Sequence, residues 1–270
     1  MSLCPAEMLP YGQFALRLKR KRMILKELED YDWFPATLRR FQMEVIGHLV
    51  QILGVYRGVI PQMDDLVKKE ALVAWVDLCS GSGVPAIYIQ QRLSKMIPLL
   101  LTDKFPQTIQ ARQHLQYARE SMDIFALTPE KDKIYTLFNA LHHFTDEEKR
   151  KIFDQFKRNE ATFLVVEILT PNLWSLIQVS LASTLVQICI APFIKPFSAV
   201  RLLLTYILPV NILTVWVDGI ISVFKSRTKM QYSRLFGALN DSTYVVETTS
   251  VFSFPTQLIV ITAKPTHAAA

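Results

Sequence analysis

The feature that most restricts the fold is a turn of small residues that follows a short apolar run. Positions 74–83 read Ala-Trp-Val-Asp-Leu-Cys-Ser-Gly-Ser-Gly, and the chain has only 8 glycines. Gly81 and Gly83 let a ligand approach the backbone closely and tolerate a positive φ, and a helix starting behind them favours anionic or polar groups. The spacing Gly81-x-Gly83-x-x-Ala86 also fits the glycine pattern of dinucleotide-binding units. We therefore predict a strand, a ligand-binding turn and a helix here.

From residue 72, short apolar runs alternate with helical patterns, which predicts a parallel sheet covered by helices. A helical lead-in precedes it, with apolar residues at spacings of three and four between Phe41 and Tyr56. A parallel sheet that ends in one antiparallel strand, and hence an α/β fold, is the expected architecture. The predicted strands are 72–78, 98–102, 115–122, 133–138, 162–169, 243–252 and 257–263, and the predicted helices include 85–93, 106–113, 146–158 and 230–239.

Acidic residues lie at the predicted ends of the first three strands. Asp103 comes 20 residues after Gly83, where a carboxylate can accept hydrogen bonds from both hydroxyls of a ribose. Asp77 lies in the first strand and Asp123 ends the third. Carboxyl ends of parallel strands share one edge of a sheet, which is where ligands bind in open α/β folds. We expect the three acids to line that edge, with a solvated loop position as the alternative for Asp103.

The fourth predicted strand continues as Asn-Ala-Leu-His-His-Phe from position 139, and Thr145 and Glu148 then form a capping box. Together with the glycine turn and Asp103, this pattern resembles class I S-adenosylmethionine-dependent methyltransferases, in which a strand of the form (apolar)-N-x-L-H-H-F is common at this place. The resemblance covers residues 72–170 and resumes at 230–264. The chain is also similar to a bacterial methyltransferase-like group in which an apolar segment with a PF-I-(K/R)-PF core follows strand five; that core is residues 192–197 here.

The resemblance implies a Rossmann-like methyltransferase sheet of about seven strands with one antiparallel strand, and S-adenosylmethionine as the cofactor. It implies that the methionine end binds at the glycine turn, the ribose at the second strand, the adenine at the third and the sulfonium at the fourth. The residues so assigned are Asp77, Cys79, Gly81 and Gly83; Asp103 with Lys104 and Phe105; Asp123 with Ile124; and Asn139 with Ala140. Cys79 departs from the family, which usually has glycine there.

Methyl transfer is an in-line displacement, so the protein mainly positions donor and acceptor and supplies a base when the acceptor loses a proton. His142 and His143 are base candidates because imidazole has an ordinary pKa of about 6.5. Alternatively, the first packs against the cofactor and the second caps the next helix. Glu167, at the end of strand five, either binds the acceptor or pairs with a cation of the lead-in.

Other side chains carry weaker expectations. Four lead-in residues either roof the cleft or pack in the core, with packing as the default: Tyr11, Trp33, His48 and Tyr56. The cysteines Cys4, Cys79 and Cys189 have neither disulfide nor zinc spacing, so we expect no metal site and a reducing compartment.

Composition first suggests nucleic-acid binding, because the net charge is +6. Residues 17–22 carry five of these positive charges and residues 171–230 a net four, which leaves the rest of the chain at −3. No basic face of the kind that binds phosphates is therefore evident, and we expect no nucleic-acid partner.

The insert after strand five is a long apolar segment. Residues 173–194 are 22 uncharged positions, about 33 Å as a helix, which is enough to cross a hydrocarbon core. A second uncharged run covers 202–217, with Lys195 and Arg201 between them. A spanning hairpin would place both cations on the far side, against the positive-inside tendency. A re-entrant or interfacial hairpin, broken at Pro209, avoids this, and a pair of core helices is the third possibility.

We therefore expect a methyltransferase that acts on an unidentified lipid or other apolar small molecule on the cytoplasmic side of a membrane. The expected parts are a lead-in (1–70), a methyltransferase-like domain (71–170 and 230–266) and an apolar helical hairpin insert (171–229), with no signal peptide. One alternative is a non-catalytic, membrane-associated cofactor-binding or scaffold protein. Another, a nicotinamide dehydrogenase, fits the glycines but fits neither Asp77 nor the strand-four motif.

Overall fold

The structure is a computed structural model that describes residues 25–107, 109 and 112–266. The basic run 17–22, Cys4 and Tyr11 lie outside the described residues. The helices are α1 (Ala36–Leu53), α2 (Ile60–Lys69), α3 (Val84–Gln90), α4 (Asp146–Arg158), α5 (Leu173–Leu181), α6 (Gln187–Ile190), α7 (Ala199–Leu202), α8 (Val210–Lys225) and α9 (Lys229–Phe236). The strands are β1 (Ala74–Leu78), β2 (Leu99–Leu101), β3 (Leu115–Tyr117), β4 (Lys133–Phe138), β5 (Thr162–Glu167), β6 (Tyr244–Ser253) and β7 (Thr256–Pro265).

The seven strands form one sheet in the order β3-β2-β1-β4-β5-β7-β6. Strands β1 to β5 pair in parallel, and β7 runs antiparallel to both β5 and β6. The predicted α/β sheet with one antiparallel strand is confirmed. The order reverses between β1 and β4, so the crevice at their carboxyl ends is the expected ligand site.

The central strands are almost wholly apolar because helices cover both faces of the sheet. Every residue of β5 is buried. On one face, Tyr56 of the lead-in packs edge-on against Phe138 of β4, with ring centroids 5.1 Å apart. On the other face, Phe156 of α4 stacks on Phe163 of β5 at 4.1 Å. These two layers hold the strand ends in fixed register.

Two local predictions are wrong. Strand β3 ends at Tyr117 rather than near residue 122, because its partner β2 stops at Leu101 and the regular pairing of the two strands ends there. Of residues 106–113, none that the structure describes is helical. Arg112 instead bridges Leu115 across a tight turn in which His114 has a φ of 64°.

The insert is a bent helical hairpin. Its first arm is helical without a break over Leu173–Phe193, and its second arm bends by 77° between Ile207 and Val210. The bend falls at Pro209, where the interfacial interpretation placed it. In the described part of the chain, one helix, Leu173–Phe193, is both long enough and apolar enough to cross a membrane. The number rises to three if each of two bent helix pairs is counted as one span; these pairs are Ala36–Leu53 with Arg57–Lys69, and Ala199–Ile207 with Val210–Lys225.

The hairpin is tied to the lead-in by a buried arginine. The Arg201 guanidinium is wholly buried, and its Nη1 donates to Glu44 Oε2 of α1 at 2.5 Å. Its Nη2 donates to the carbonyls of Ile194 and Pro196 at 2.6 and 3.0 Å. The turn between the two arms therefore lies against α1.

Candidate functional site

The glycine turn has the backbone geometry that its residues predict. Cys79, Gly81 and Gly83 have φ of 52°, 52° and 70°, in the left-handed region that glycine adopts without strain. A Cβ on Gly83 would lie 2.4 Å from Leu101 Cδ1. Glycine is thus required at 83 by both backbone and packing, whereas Cys79 holds the same conformation with a side chain.

Asp103 links the second strand to this turn. Its Oδ2 accepts a hydrogen bond from the Gly81 N–H and its Oδ1 one from the Phe105 N–H, both at 2.8 Å. Burial raises the pKa of the Asp103 carboxyl, and these two N–H groups oppose the rise. Each carboxylate oxygen has two lone pairs, so the carboxylate can accept further hydrogen bonds.

Asp77 lies at the end of a buried polar chain. Trp75 Nε1 donates to Thr136 Oγ1 at 2.7 Å, and Thr136 Oγ1 donates to Asp77 Oδ1 at 2.5 Å. Burial raises the pKa of Asp77 to about 7, against the opposing effect of the Thr136 and Ser80 hydroxyls. A cation placed beside this carboxyl would favour its ionised form.

Asp77 therefore gives the fold a pH dependence of defined sign. With its pKa raised to about 7, the folded chain keeps a proton that the unfolded chain releases near pH 4. The folded state binds more protons in this window, so stability falls as pH rises from about 4 to 7.

We expect the Tm of Asp77→Asn, measured by circular dichroism, to fall less than that of the wild type across this range. The matched control is Asp132→Asn, at an exposed position. Equal slopes for Asp77→Asn and the wild type would contradict the prediction.

Asp123 lies six residues beyond β3, so it does not end that strand as predicted. Its Oδ1 accepts from the Phe125 N–H at 3.0 Å and caps a short helical turn, which places Ile124 in the core. A cavity of about 580 Å³ opens against this turn, lined by residues 118–123 and 126–128.

The end of β4 is shaped by Asn139, which has a φ of 50°. Its Oδ1 accepts from the Ile168 N–H at 3.2 Å, so the loops after β4 and β5 are held together. Ala140 follows and is buried.

His142 and Glu167 form a buried pair at the same edge. Glu167 Oε2 lies 2.8 Å from His142 Nδ1, and Glu167 Oε1 accepts from the Leu141 N–H at 2.7 Å. Both side chains are almost completely buried. Among the described residues, Glu167 pairs with His142 and not with a cation of the lead-in. Its predicted role toward the acceptor stays a prediction.

The lead-in brings carboxylates onto the histidines. His143 Nδ1 lies 3.0 Å from Asp30 Oδ1, and its Nε2 lies 3.4 Å from Glu27 Oε2. Burial alone would lower the pKa of His143, but Glu27 and Asp30 raise it to about 10. Burial raises the pKa of Glu29 to about 8. His143 is therefore a cation at neutral pH in this arrangement.

Helix α8 of the insert holds the lead-in in this place. Asp218 accepts from the N–H groups of Leu28 and Glu29 at 2.6 and 3.2 Å. Lys225 Nζ lies 3.0 Å from Glu27 Oε1 and 3.5 Å from Asp30 Oδ2. The insert, the lead-in and the histidines thus form one connected polar cluster.

Comparison with solved structures finds the same architecture. Human N-acetylserotonin methyltransferase in complex with SAM superposes with a TM-score of 0.53 over 91% of this chain, at 12% identity. The chain has the class I methyltransferase fold. It spans 64% of the length of that human enzyme.

Weaker similarities to the methyltransferase fold include two further enzymes. An O-methyltransferase from neocarzinostatin biosynthesis, in complex with S-adenosylmethionine and 2-hydroxy-5-methyl naphthoic acid, gives a TM-score of 0.46 and 13% identity, over 83% of this chain and 56% of its own. Magnesium protoporphyrin IX methyltransferase from Synechocystis PCC 6803 with bound SAH gives 0.42 and 10%, over 82% and 84%. No family model and no curated protein sequence matches the chain.

Within the methyltransferase fold, the predicted residues divide into two groups. Asp77, Cys79, Gly81, Gly83 and Asp103 lie together at the ends of β1 and β2. Lys104 is exposed and pairs with Asp32 at 3.0 Å, while the Phe105 ring lies 3.8 Å below the Arg39 guanidinium. His142 and His143 follow β4 and face the lead-in, and His142 also pairs with Glu167, the last residue of β5.

The roof predictions have separate outcomes. Tyr56 is buried in the core, which is the packing role expected for it by default. Trp33 is exposed and packs edge-on against Phe34, and His48 is half-buried on α1.

Two contacts at the turn were missed from the sequence. The Tyr117 hydroxyl donates to the Gly81 carbonyl at 2.9 Å, and Met43 of α1 lies 3.7 Å from the Cβ that a side chain on Gly81 would add. The i, i+3, i+4 apolar pattern of α1 was a signal that one face of the helix is covered, but not that it covers this turn.

Proposed function

We propose that the protein is an S-adenosylmethionine-dependent methyltransferase. The observation that carries this is Asp103, a buried carboxylate held by the Gly81 and Phe105 N–H groups at the strand edge, with lone pairs left for ribose hydroxyls. Human N-acetylserotonin methyltransferase, which superposes with a TM-score of 0.53, is in complex with SAM. This supports the same cofactor here.

The residues at the turn fit such a cofactor. Gly81 and Gly83 leave backbone without side chains beside Asp77, whose buried carboxyl would be stabilised in its ionised form by a cationic ligand. When bound, S-adenosylmethionine supplies a methyl group that its sulfonium already activates for displacement. The chain itself would orient donor and acceptor: Asp103 at the ribose, Asp123 and Ile124 at the adenine, and Asn139 with Ala140 beside the reacting centre.

The base role of the histidines stays a prediction, and the geometry favours His142 over His143. A protonated His143 has no free lone pair to accept a proton. Glu167 binds His142 at Nδ1 and so orients the ring. Nε2 is then the nitrogen of His142 that would accept a proton.

Cofactor affinity tests the proposal. Replacing Asp103 by alanine removes the acceptor of two backbone N–H groups and of the ribose hydroxyls, so we expect binding of S-adenosylhomocysteine to weaken about 10- to 100-fold, at about 1.5–3 kcal/mol for hydrogen bonds to a charged group. Isothermal calorimetry measures this, with Asp132→Ala as the exposed control. Failure of the wild type to bind S-adenosylhomocysteine or S-adenosylmethionine would overturn the enzyme proposal. Binding without transfer to any acceptor would support the scaffold alternative.

We further propose that the acceptor is an apolar molecule reached at a membrane surface, on the cytoplasmic side. The insert has its polar side chains inward and its apolar ones outward: Gln187, Thr205 and Asn211 are buried, whereas 17 of the 27 exposed large hydrophobic residues in the described chain lie within 173–224. Contiguous exposed apolar patches mark sites that contact a membrane, a protein or a ligand, and the uncharged runs long enough to cross a hydrocarbon core favour a membrane here. Since Arg201 binds Glu44 of α1, the turn of the hairpin stays beside the domain, which supports an interfacial over a spanning arrangement.

Vesicle binding tests the membrane proposal. Phe193, Phe197 and Leu208 are 71%, 70% and 54% exposed on the insert. Placing each in lipid is worth about 1.5–3 kcal/mol, so we expect the triple glutamate variant to bind vesicles of phosphatidylglycerol and phosphatidylcholine at least 100-fold more weakly in a flotation assay. The control is Met96→Glu, which is 54% exposed, like Leu208, but lies outside the insert, between α3 and β2. Unchanged flotation of the triple variant would refute the membrane proposal.

A further inference from the structure

Two neighbouring histidines present the same ring nitrogen to one buried carboxylate. His142 Nε2 lies 3.9 Å from Glu27 Oε1, and His143 Nε2 lies 3.4 Å from Glu27 Oε2. The two imidazole rings are 4.5 Å apart and inclined by 33°. One ligand-type atom from each of the three residues falls within 4.8 Å of the other two.

The opposite ring nitrogens are each held by a second carboxylate. His142 Nδ1 pairs with Glu167 at 2.8 Å and His143 Nδ1 with Asp30 at 3.0 Å. Histidines that ligate a metal almost always donate their other N–H to a carboxylate, carbonyl or water, which orients the ring and raises its basicity. Here that arrangement occurs twice, at adjacent residues, around one point.

We propose that His142 Nε2, His143 Nε2 and the Glu27 carboxylate bind a divalent transition-metal ion of the Zn²⁺ type. Bonds of about 2.0–2.2 Å to nitrogen and oxygen place tetrahedral ligands about 3.3–3.5 Å apart, close to the 3.4 Å and 3.9 Å separations seen. Two imidazoles and one carboxylate are a ligand set that zinc enzymes use, and three protein ligands leave one position open.

The charge around the three residues favours a dication. Three carboxylates converge here, from Glu27, Asp30 and Glu167, and in the described chain they face Lys225 and His143. A bound dication takes the place of the proton that His143 carries at neutral pH. Glu27 is almost wholly buried, and its Oε1 accepts no hydrogen bond, since Lys225 Nζ at 3.0 Å lies outside hydrogen-bonding geometry. Lys225 competes with a metal ion for Glu27. It also lies 3.5 Å from Asp30 Oδ2, so it can stay paired with Asp30 when a metal ion binds Glu27.

The sequence analysis predicted no metal site, and no spacing marks this one because Glu27 lies 115 positions before His142. The proposal does not rest on methyl transfer. It is incompatible with a base role for His142 in the metal-bound protein, because a ligating Nε2 has no lone pair left for a proton.

Metal binding by the full chain, produced without a histidine tag, tests the proposal. We expect the protein to retain one equivalent of Zn²⁺ after dialysis, measured by elemental analysis. It should also bind one equivalent of Co²⁺, and the visible spectrum of the bound ion should be that of nitrogen and oxygen ligands. Glu27→Gln should weaken Zn²⁺ binding at least tenfold in calorimetry. Asp32→Asn, an exposed acid of the same segment, should leave it unchanged. Because the site is buried, the titrations are repeated with metal present during refolding.

A second variant separates the metal site from a simple ion-pair network. Lys225→Gln removes the competing cation, so it should tighten Zn²⁺ binding if the metal site exists. The proposal is overturned if the folded wild type binds no stoichiometric Zn²⁺ or Co²⁺ by either route, or if Glu27→Gln folds and keeps full affinity. A sulfur-to-cobalt charge-transfer band would place the ion on a cysteine and overturn it as well.

Discussion

Replacing Arg201 by methionine is expected to lower the free energy of unfolding by about 3–5 kcal/mol. The side chain is wholly buried and donates to Glu44 and to the carbonyls of Ile194 and Pro196. Methionine fills similar space but leaves Glu44, which is 15% exposed, beside an apolar group. Removing one partner of a buried ion pair is costly because the other charge stays desolvated. Chemical denaturation followed by circular dichroism measures the change.

The same carboxylate provides a matched control for this variant. Arg40 also faces Glu44, at 3.7 Å and one helical turn away, but is 54% exposed. Exposed pairs of this kind contribute about 0–1 kcal/mol, so Arg40→Met should change stability little. The double variant Arg201→Met/Glu44→Gln should recover part of the loss, because it removes the orphaned charge. A loss below about 1 kcal/mol for Arg201→Met would show that the hairpin is not anchored as described.

Replacing Gly83 by alanine is expected to destabilise the fold by about 3 kcal/mol. With a φ of 70°, a non-glycine residue costs about 1–2 kcal/mol. The new Cβ would also lie 2.4 Å from Leu101 Cδ1 in the core, and such overpacking costs about 1–3 kcal/mol. Equilibrium unfolding in urea gives the difference directly.

Gly237 is the matched control for the glycine turn. It has an ordinary helical φ of −58°, and a Cβ there would meet nothing within 4 Å. Gly237→Ala should therefore be neutral or stabilising by up to about 1 kcal/mol. Similar losses for the two variants would mean that Gly83 is not under special constraint.

Features set by neighbouring residues could be predicted from the sequence. Short apolar runs that alternate with helical patterns predicted β1, β4 and β5, and the Thr145–Glu148 capping box forms as expected. The bend at Pro209 follows from a residue that cannot donate a backbone hydrogen bond. The turn at residues 79–83 and the place of Asp103 at its side follow from the same local rules.

Features set by distant residues could not be predicted in this way. The contacts of Asp218 with Leu28 and of Arg201 with Glu44 join residues 190 and 157 positions apart, and no periodicity or spacing marks such partners. The contacts of Glu167 with His142 and with the Leu141 N–H join residues 25 and 26 positions apart and were likewise not predicted. Asp123 was misplaced because the length of β3 is decided by its neighbour β2.

The anchoring of Leu28 and Glu29 by Asp218 has a consequence for the order in which the chain matures. During synthesis from the N-terminus, residues 27–30 emerge early, yet the carboxylate that accepts their N–H groups is made 190 residues later. Until α8 has left the ribosome, this acidic segment has neither Asp218 nor Lys225 to hold it over the histidines. The contacts that hold residues 27–30 over the histidines can therefore form only after α8 has been made, although this segment precedes α8 in the chain.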